Sequence, residues 1–259
     1  MSWYLFTANH TAHIQPTLTE GTELAGFPVG NCRTPAINVR SQVSGDVTNG
    51  VKIDWDRGGG NGALVDSVLV LANNMTTATL DILSDTVDSF PSPTTLLTTS
   101  THSSPDFFRR LSASSQERYL RFDYQNTSGG TFKYGMIAIG RSFALPNPQI
   151  ATENHRADDD QRIRTQSFRM VTRANALSIT EHMARHYIFS RSSSGGTQSF
   201  DAIDGIGGRQ TPIALIDDGG AAGSETVYYG RARVTSRPSL TNHHEVTVEM
   251  NVVREGVFL

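Results

Sequence analysis

The sequence predicts a mainly β fold made of antiparallel β-sandwiches, and three observations lead to this prediction. Apolar and polar residues alternate in many short segments, which is the period of a strand with one buried face. Gly, Asn and Pro residues separate these segments, as they do in turns. Hydrophobic residues make up only 37% of the 259 residues and charged residues 18%, and Ser, Thr and Gly fill the positions that long helices would give to Ala, Leu, Glu and Lys.

The first half of the chain holds most of the alternating segments. In residues 50–56, three apolar residues alternate with Lys52, Asp54 and Asp56, which predicts a strand with one solvated face. Residues 63–72 hold a near-continuous apolar run, Val68 to Ala72, so we expect a strand buried on both faces. Residues 84–105 are rich in Ser, Thr and Pro and are predicted to form a loop. Further strands are predicted at residues 36–39, 77–83, 117–124 and 132–139.

The second half is predicted to be a separate, β-rich domain. A proline-containing and then charged stretch over residues 146–164 marks the boundary, which gives domains of 1–145 and 146–259. Residues 174–188 have an apolar stripe at helical spacing, so we expect one helix there. Strands are predicted at residues 165–172, 211–216, 227–234 and 245–253.

Composition and charge argue against several classes of protein. The net charge is −3, which lacks the strongly basic character of a nucleic-acid binder. The single cysteine, Cys32, excludes an intramolecular disulfide and a Cys-rich zinc site, and we interpret it as a buried thiol. The apolar run at the N-terminus, Trp3 to Phe6, is too short for a signal peptide or a membrane span, so we expect synthesis in a cytoplasm and no membrane insertion.

No motif for catalysis, a cofactor or a metal emerges. The chain lacks a Gly-x-Ser-x-Gly nucleophile turn and a phosphate-binding Gly-rich loop that ends in Lys and Ser or Thr. The acids at 158–160 and 217–218 lack calcium-loop spacing and are interpreted as a linker and a turn. His182 and His186 would share one face of the predicted helix, as two zinc ligands do, but no glutamate base stands between them and no third ligand is assigned. We therefore predict a chain that is not an enzyme and that binds no cofactor or metal.

The order of several motifs resembles a known family. Val-Leu-Val-Leu-Ala-Asn-Asn-Met at 68–75 leads into Thr-Ala-Thr-Leu at 77–80. Later come Arg-Tyr-Leu-Arg-Phe-Asp-Tyr-Gln-Asn at 118–126 and Tyr-Gly-Met-Ile-Ala-Ile-Gly-Arg-Ser-Phe at 134–143. This order is similar to the discoidin-like jelly roll of tailed-bacteriophage tail-tip and baseplate proteins. Late segments of the second half resemble the same proteins: 212–218, 229–231 and 245–255.

The resemblance implies a structural virion protein of a phage tail that acts through protein–protein contacts. It would be made in the bacterial host cytoplasm and end in the virion, with other tail proteins as partners and a trimeric or hexameric state. Its interface is expected among apolar residues that have no place in the predicted strands. These are Trp3, Tyr4, Leu5, Phe6, Phe107 and Phe108.

Two other functions stay open. The first alternative is a carbohydrate-binding module that attaches to host-surface glycan through a shallow cleft with an aromatic ring and planar polar side chains. The rings available for it are Trp55, Tyr124, Tyr228 and Tyr229. The second is a glycan-degrading enzyme, which the absence of a short β-helix repeat disfavours.

Overall fold

A computed structural model describes the greater part of the chain. The described residues are 2–9, 11, 14–33, 40–45, 50–58, 62–75, 79–100, 105–125, 130–148, 154–157, 160–164, 170–174, 178–190, 199–203, 212–218, 225–238 and 243–255. Among these residues, the only α-helical segment is one short turn at 199–203. None of the described helices has the length and apolar character needed to cross a membrane.

The chain separates into two compact units. The sandwich unit contains Phe6–Ser142 and Gly219–Val227. The C-terminal unit contains Met1–Leu5, Phe143–Asp218 and Tyr228–Leu259. Each unit therefore includes a short segment that lies far in the sequence from the rest of that unit.

Strands dominate both units. Up to Leu145 the described strands are β1 (Trp3–Asn9), β2 (Thr17–Glu20), β3 (Thr22–Glu23), β4 (Ser41–Gly45), β5 (Val51–Asp56), β6 (Val65–Leu71), β7 (Thr79–Asp85), β8 (Thr94–Ser100), β9 (Phe107–Ser115), β10 (Tyr119–Gln125), β11 (Gly130–Tyr134) and β12 (Met136–Leu145), with a 3-10 helix at Val29–Arg33. The later strands are β13 (Asn154–Ala157), β14 (Asp160–Arg164), β15 (Met170–Ala174), β16 (Ser178–Ser190), β17 (Pro212–Asp217), β18 (Thr226–Pro238) and β19 (His243–Glu255).

The sandwich unit has two main layers of antiparallel strands. One layer is a five-stranded sheet in the order β2-β5-β10-β7-β8, with β10 between β5 and β7. In the other layer, β6 pairs with β12 on one side and β9 on the other. A three-stranded sheet in the order β11-β4-β3 completes the unit. A single cluster of buried apolar side chains takes members from all three sheets, which makes this a β-sandwich with one core.

Aromatic rings fill the centre of that core. Phe132 stacks on Phe122 with centroids 5.8 Å apart and also packs against Tyr124 and Tyr134, at 4.8 Å and 4.6 Å. Trp55 of the neighbouring strand β5 is fully buried in the same cluster. Rings at these separations add favourable stacking to the burial of a large apolar area.

The Asn-Asn break after β6 is held by hydrogen bonds rather than left as an open turn. Asn73 donates from its side-chain amide to the carbonyl of Pro105 at 2.9 Å and accepts from the backbone N–H of Met75 at 3.0 Å. Asn74 accepts from the N–H of Lys133 at 2.7 Å. The two side chains therefore tie the end of β6 to the segments that precede β9 and form β11.

In the C-terminal unit, β13, β16, β19, β18 and β17 lie side by side in that order. The helix predicted at 174–188 is wrong, because β16 pairs antiparallel with β19 over its whole length. In β16, Arg185, Tyr187 and Phe189 are buried and the residues between them are half-exposed. An arginine at an inward position hid this alternation in the sequence.

Other predicted elements are confirmed or corrected. Strands are confirmed at β5, β6, β7, β10, β17, β18 and β19, and the predicted strand at 132–139 is divided between β11 and β12. The predicted loop at 84–105 is wrong in part, because it contains β8. Strands β1 and β9 were not predicted. The predicted strand at 36–39 lies outside the described residues. The predicted fold class, a mainly β chain of antiparallel sheets with a β-sandwich, is confirmed.

We expect that Phe122→Ala lowers the free energy of unfolding by about 3–5 kcal/mol, because it removes a fully buried ring from the centre of the aromatic cluster. Urea unfolding followed by tryptophan fluorescence measures this loss. The matched control is Val87→Ala, at a side chain that is 44% exposed, with an expected change within about 0.5 kcal/mol. A loss below about 1 kcal/mol for Phe122→Ala would contradict the packing described above.

Candidate functional site

The residues expected to form an assembly interface lie inside strands. Trp3 and Leu5 are buried in the core of the C-terminal unit. Phe6, Phe107 and Phe108 are also buried, and Tyr4 is half-buried. Side chains that complete the cores of their own chain are not exposed for a neighbouring subunit. We expected these six residues to lie outside the strands. This expectation is wrong, because all six belong to β1 or β9.

The rings proposed for glycan contact are also largely internal. Trp55 is 0% exposed and Tyr124 is 1% exposed, so neither presents a ring face to a sugar. Tyr229 is buried as well. Tyr228 is half-buried and stacks on Trp3, with centroids 6.1 Å apart and planes 8° apart.

The two histidines considered as metal ligands lie on β16 rather than on a helix. Four residues along a strand span about 13 Å, so the backbone positions of His182 and His186 are too far apart for the one-turn spacing of a helical zinc pair. The His186 ring shares a hydrogen bond between Nδ1 and Oγ1 of Thr247, at 3.2 Å. Within the described parts of the chain, no three His, Cys, Asp or Glu residues gather into a cluster that could hold a metal ion.

The remaining chemical candidates also have structural positions. Cys32 is fully buried, and burial raises the pKa of its thiol to about 12, so the reactive thiolate is not formed at neutral pH. Asp218 accepts a hydrogen bond from the N–H of Ser2 at 2.7 Å. Of the acids at 158–160, only Asp160 lies within the described residues, as the first residue of β14.

A dense set of charged and polar side chains lies on the outward side of the five-stranded sheet. We call it the charged face. Strand pairing brings its members together in rows across the sheet, with Arg121 opposite Asp54 and Tyr119 opposite Asp56. Its members are Glu20, Lys52, Asp54, Asp56, Asp81, Arg118, Tyr119, Arg121 and Asp123.

The centre of the charged face is an ion pair with fixed geometry. Arg121 donates from Nε and Nη2 to the two carboxylate oxygens of Asp54, each at 2.7 Å. The hydroxyl of Thr19 also donates to Asp54, at 2.6 Å. The guanidinium carbon of Arg121 lies 4.1 Å from the centroid of Phe90. Two hydrogen bonds and one ring therefore hold Arg121 in place, which gives the pair a defined orientation.

A turn holds Phe90 over Arg121. Asp85, at the end of β7, accepts hydrogen bonds from the N–H groups of Val87 at 3.1 Å and Ser92 at 3.3 Å. Phe90 itself has a φ of 50°, in the left-handed region that side chains other than glycine rarely adopt. The backbone therefore accepts strain at the position where the ring covers the guanidinium group.

A second ion pair lies at the rim of the charged face. Arg118 donates from Nε and Nη2 to the carboxylate of Asp56, each at 2.7 Å, and its guanidinium carbon lies 4.8 Å from the ring centroid of Tyr119. Both partners are exposed, at 43% and 47% of their side-chain areas. The hydrogen bonds from Arg118 lower the pKa of the Asp56 carboxyl below its ordinary value. This end of the charged face combines an accessible charge pair with a half-buried ring.

Asp123 differs from the paired acids. Its side chain is buried, and burial is the main cause that raises the pKa of its carboxyl. Lys52 lowers this pKa, and Asp81 raises it further. The charged face therefore contains one carboxyl group whose charge is disfavoured, next to others whose charge is stabilised by arginine.

The sequence contained part of the signal for this face. The alternation in 50–56 predicted a solvated side with Lys52, Asp54 and Asp56, and the strand at 117–124 had Arg121 and Asp123 on one side. The sequence did not show that these two strands are neighbours, so the bidentate pairs were missed.

Comparisons with known proteins identify no family for the chain. No family model matches the sequence, and no curated protein matches it. Solved structures with some likeness include several carbohydrate-binding modules. The bacteriophage part of the sequence resemblance has no support among these findings and stays a prediction.

Three of these structures illustrate the degree of likeness. The family 32 module of Clostridium perfringens NanJ, in complex with galactose, is 10% identical, with 52% of this chain and 98% of that chain covered and a TM-score of 0.41. Chitosan-binding module 1 of a chitosanase/glucanase from Paenibacillus sp. IK-5 is 15% identical, with 52% and 100% covered and a TM-score of 0.40. The family 32 module of AlyQ, in complex with 4,5-unsaturated mannuronic acid, is 17% identical, with 48% and 92% covered and a TM-score of 0.37. Likenesses at these scores do not assign a function to the chain.

We expect that Arg121→Lys lowers the free energy of unfolding by about 1–3 kcal/mol, because an ammonium group cannot reproduce the bidentate hydrogen bonds or lie flat on Phe90. Urea unfolding at neutral pH measures the change. The control is Arg118→Lys, where solvent screens the exposed pair and a smaller loss is expected. Equal losses in the two variants would show that Arg121 contributes no more than a surface ion pair.

Proposed function

We propose that the chain is a non-catalytic glycan-binding module and that the charged face of the sandwich unit contacts the sugar. One observation carries the proposal. Planar polar side chains are held in fixed orientations on one outward sheet surface, with a half-buried tyrosine ring at its rim.

The hydrogen-bonding capacity of this surface suits a polyhydroxyl ligand. Each sugar hydroxyl donates one hydrogen bond and accepts others, and carboxylate, guanidinium and ammonium groups offer both kinds of partner. Hydrogen bonds to ionised groups are stronger than those between neutral groups. Because Arg121 and Asp54 already fix one another, little side-chain freedom is lost when a ligand binds.

An aromatic ring beside these groups supplies the apolar contact that a sugar ring needs. Tyr119 is the aromatic member of the charged face. We propose it as the sugar-contacting ring in place of the four rings suggested by the sequence, which are buried or half-buried. Lys52 and Glu20, on adjacent strands, are half-exposed and lie in one row across the sheet. These three side chains, together with the fixed Arg121–Asp54 pair, are the proposed ligand contacts.

The bacteriophage setting is a proposal that rests on the sequence resemblance. In a virion tail, such a module would attach the particle to glycan on the host surface. A trimeric or hexameric state and contacts with other tail proteins remain part of that proposal. Of the residues expected to form the subunit interface, Tyr4 is half-buried and the other five are buried, so these residues do not favour assembly over glycan binding.

We expect the purified chain to bind a defined subset of a glycan array that includes bacterial lipopolysaccharides. For the best oligosaccharide on the array, Lys52→Gln and Tyr119→Ala should each raise the Kd by about tenfold or more, because each removes one direct contact. Isothermal titration calorimetry measures the Kd values.

Two matched variants serve as controls for these changes. Lys133→Gln alters an exposed lysine on β11, and Phe27→Ala alters a ring that is 38% exposed, and both lie outside the charged face. Their Kd values should equal that of the unaltered chain. The absence of binding to every glycan on the array would reject the proposed function. Equal increases of the Kd in the control variants would reject it as well.

A further inference from the structure

Two acidic residues on the charged face oppose one another directly. Asp123 of β10 and Asp81 of β7 are paired residues in the antiparallel register. Directly opposed residues on one face of an antiparallel pair have Cβ atoms about 4.5–5.5 Å apart, and like charges in this position destabilise the sheet. The pair is therefore a place where two negative charges would repel at close range.

Each of the two carboxyl groups has one buried oxygen that receives no hydrogen bond. Oδ1 of Asp123 and Oδ1 of Asp81 are buried and have no hydrogen-bond partner in the described part of the chain. The Asp123 side chain is 6% exposed. By contrast, Asp54 and Asp56 each receive two hydrogen bonds from an arginine. A buried acceptor without a donor is costly, and a buried charge without a counterion is more so.

The groups around the pair do not supply the missing donor. Lys52 of β5 is opposite Asp123 in the register, but no ion pair joins them among the described residues. Arg121, two positions before Asp123 on β10, has its guanidinium group bonded to Asp54. Beyond Lys52 lies Glu20 of β2, and beyond Asp81 lies Thr98 of β8. Gln125, on β10, is the remaining neighbour. It forms a hydrogen bond with the Asp123 side chain, but Oδ1 of Asp123 still has no partner among the described residues.

A shared proton resolves both problems. If one carboxyl group is protonated, its O–H donates a hydrogen bond to an oxygen of the other carboxyl group. This gives both buried oxygens a hydrogen-bond partner and removes one of the two negative charges. We propose that Asp81 and Asp123 share one proton in the folded chain and form a pH-sensitive element of the five-stranded sheet. When the proton leaves to water at higher pH, the buried carboxylate of Asp123 remains opposed to the half-buried carboxylate of Asp81, and the sheet loses stability.

The direction of the pH dependence follows from linkage. Burial raises the pKa of the Asp123 carboxyl, with Asp81 adding to the effect and with Lys52, Arg121 and Gln125 opposing it. A carboxyl whose pKa is raised by folding contributes stability that is fully present below its unfolded pKa, about 3.9. This stability is lost as the pH rises through the raised value. The pair therefore acts in the direction opposite to Asp56, whose lowered pKa makes stability fall as the pH falls.

A divalent cation fits this place less well than a proton. Calcium takes six to eight oxygen ligands, and two carboxyl groups supply at most four. No third acidic or histidine side chain joins Asp81 and Asp123 in a metal-binding cluster within the described residues. The proton needs only the two carboxyl groups that are present.

Urea unfolding of the full chain between pH 4 and pH 8 tests the proposal. Asp123→Asn keeps the shape of the side chain, cannot ionise and can donate its amide to Asp81. Relative to the unaltered chain, we expect this variant to gain stability as the pH rises, by up to about tenfold in the folding equilibrium constant per pH unit. Asp81→Asn should behave in the same way. Using the difference between two chains removes the contribution of every other titrating group.

Asp56→Asn is the matched control, because it alters a carboxyl on the same face that already has a partner. Its stability relative to the unaltered chain should fall only as the pH rises toward the unfolded pKa of aspartate, about 3.9, and should stay nearly constant between pH 4 and pH 8. Carbon-13 NMR of the Asp123 carboxyl should show titration above the ordinary range of aspartate.

A pH-independent difference in stability between Asp123→Asn and the unaltered chain would overturn the proposal. Stabilisation of the unaltered chain, but not of Asp123→Asn, by calcium chloride at pH 7 would also overturn the proposal, because the pair would then bind a cation. These readouts involve no sugar, so the result is separate from the outcome of the glycan array.

Discussion

The alternation of side chains along β10 is the constraint on which the sandwich unit depends. Every second residue must point into the core, so the large ring of Phe122 is enclosed while Arg121 and Asp123 are directed outward. Because β5 and β7 pair with β10 on its two sides, the same alternation brings their outward residues into rows with those of β10. The packing of the core and the order of charges on the outer surface are therefore consequences of one register.

The charged face shows two ways in which a sheet can accommodate acidic residues. Asp54 and Asp56 are each paired with a guanidinium group in bidentate geometry, which gives both carboxylates hydrogen-bond donors. Asp123 is opposed by another carboxyl and is more deeply buried, and its burial is the main cause that raises the pKa of its carboxyl. In the proposed function the first arrangement offers fixed polar groups to a ligand, and in the proposed sharing of a proton the second gives the sheet a response to pH.

The sequence predicted the strands whose apolar period is regular, such as β5, β10 and β19, and it failed where a tertiary contact disturbs the period. In β16, buried Arg185 occupies a core position, with its guanidinium carbon 5.6 Å from the ring centroids of Trp3 and Tyr228. An arginine in an inward position makes a strand look irregular, and a helix was predicted in its place. In β9, the consecutive residues Phe107 and Phe108 are both buried, and the register against β6 shifts between Arg110 and Ser115.

By itself, the sequence determined the mainly β class, the solvated side of β5 and the position of the Asn-Asn break, because these depend on local periodicity and turn preferences. Only the tertiary structure decided that Trp3 and Leu5 belong to the C-terminal core and that Trp55 is enclosed. It alone decided that Asp54 meets Arg121 while Asp81 meets Asp123. The physical reason is that strand pairing joins residues that are 67 positions apart for Asp54 and Arg121 and 42 positions apart for Asp81 and Asp123, and no pattern within a single segment specifies which strands become neighbours.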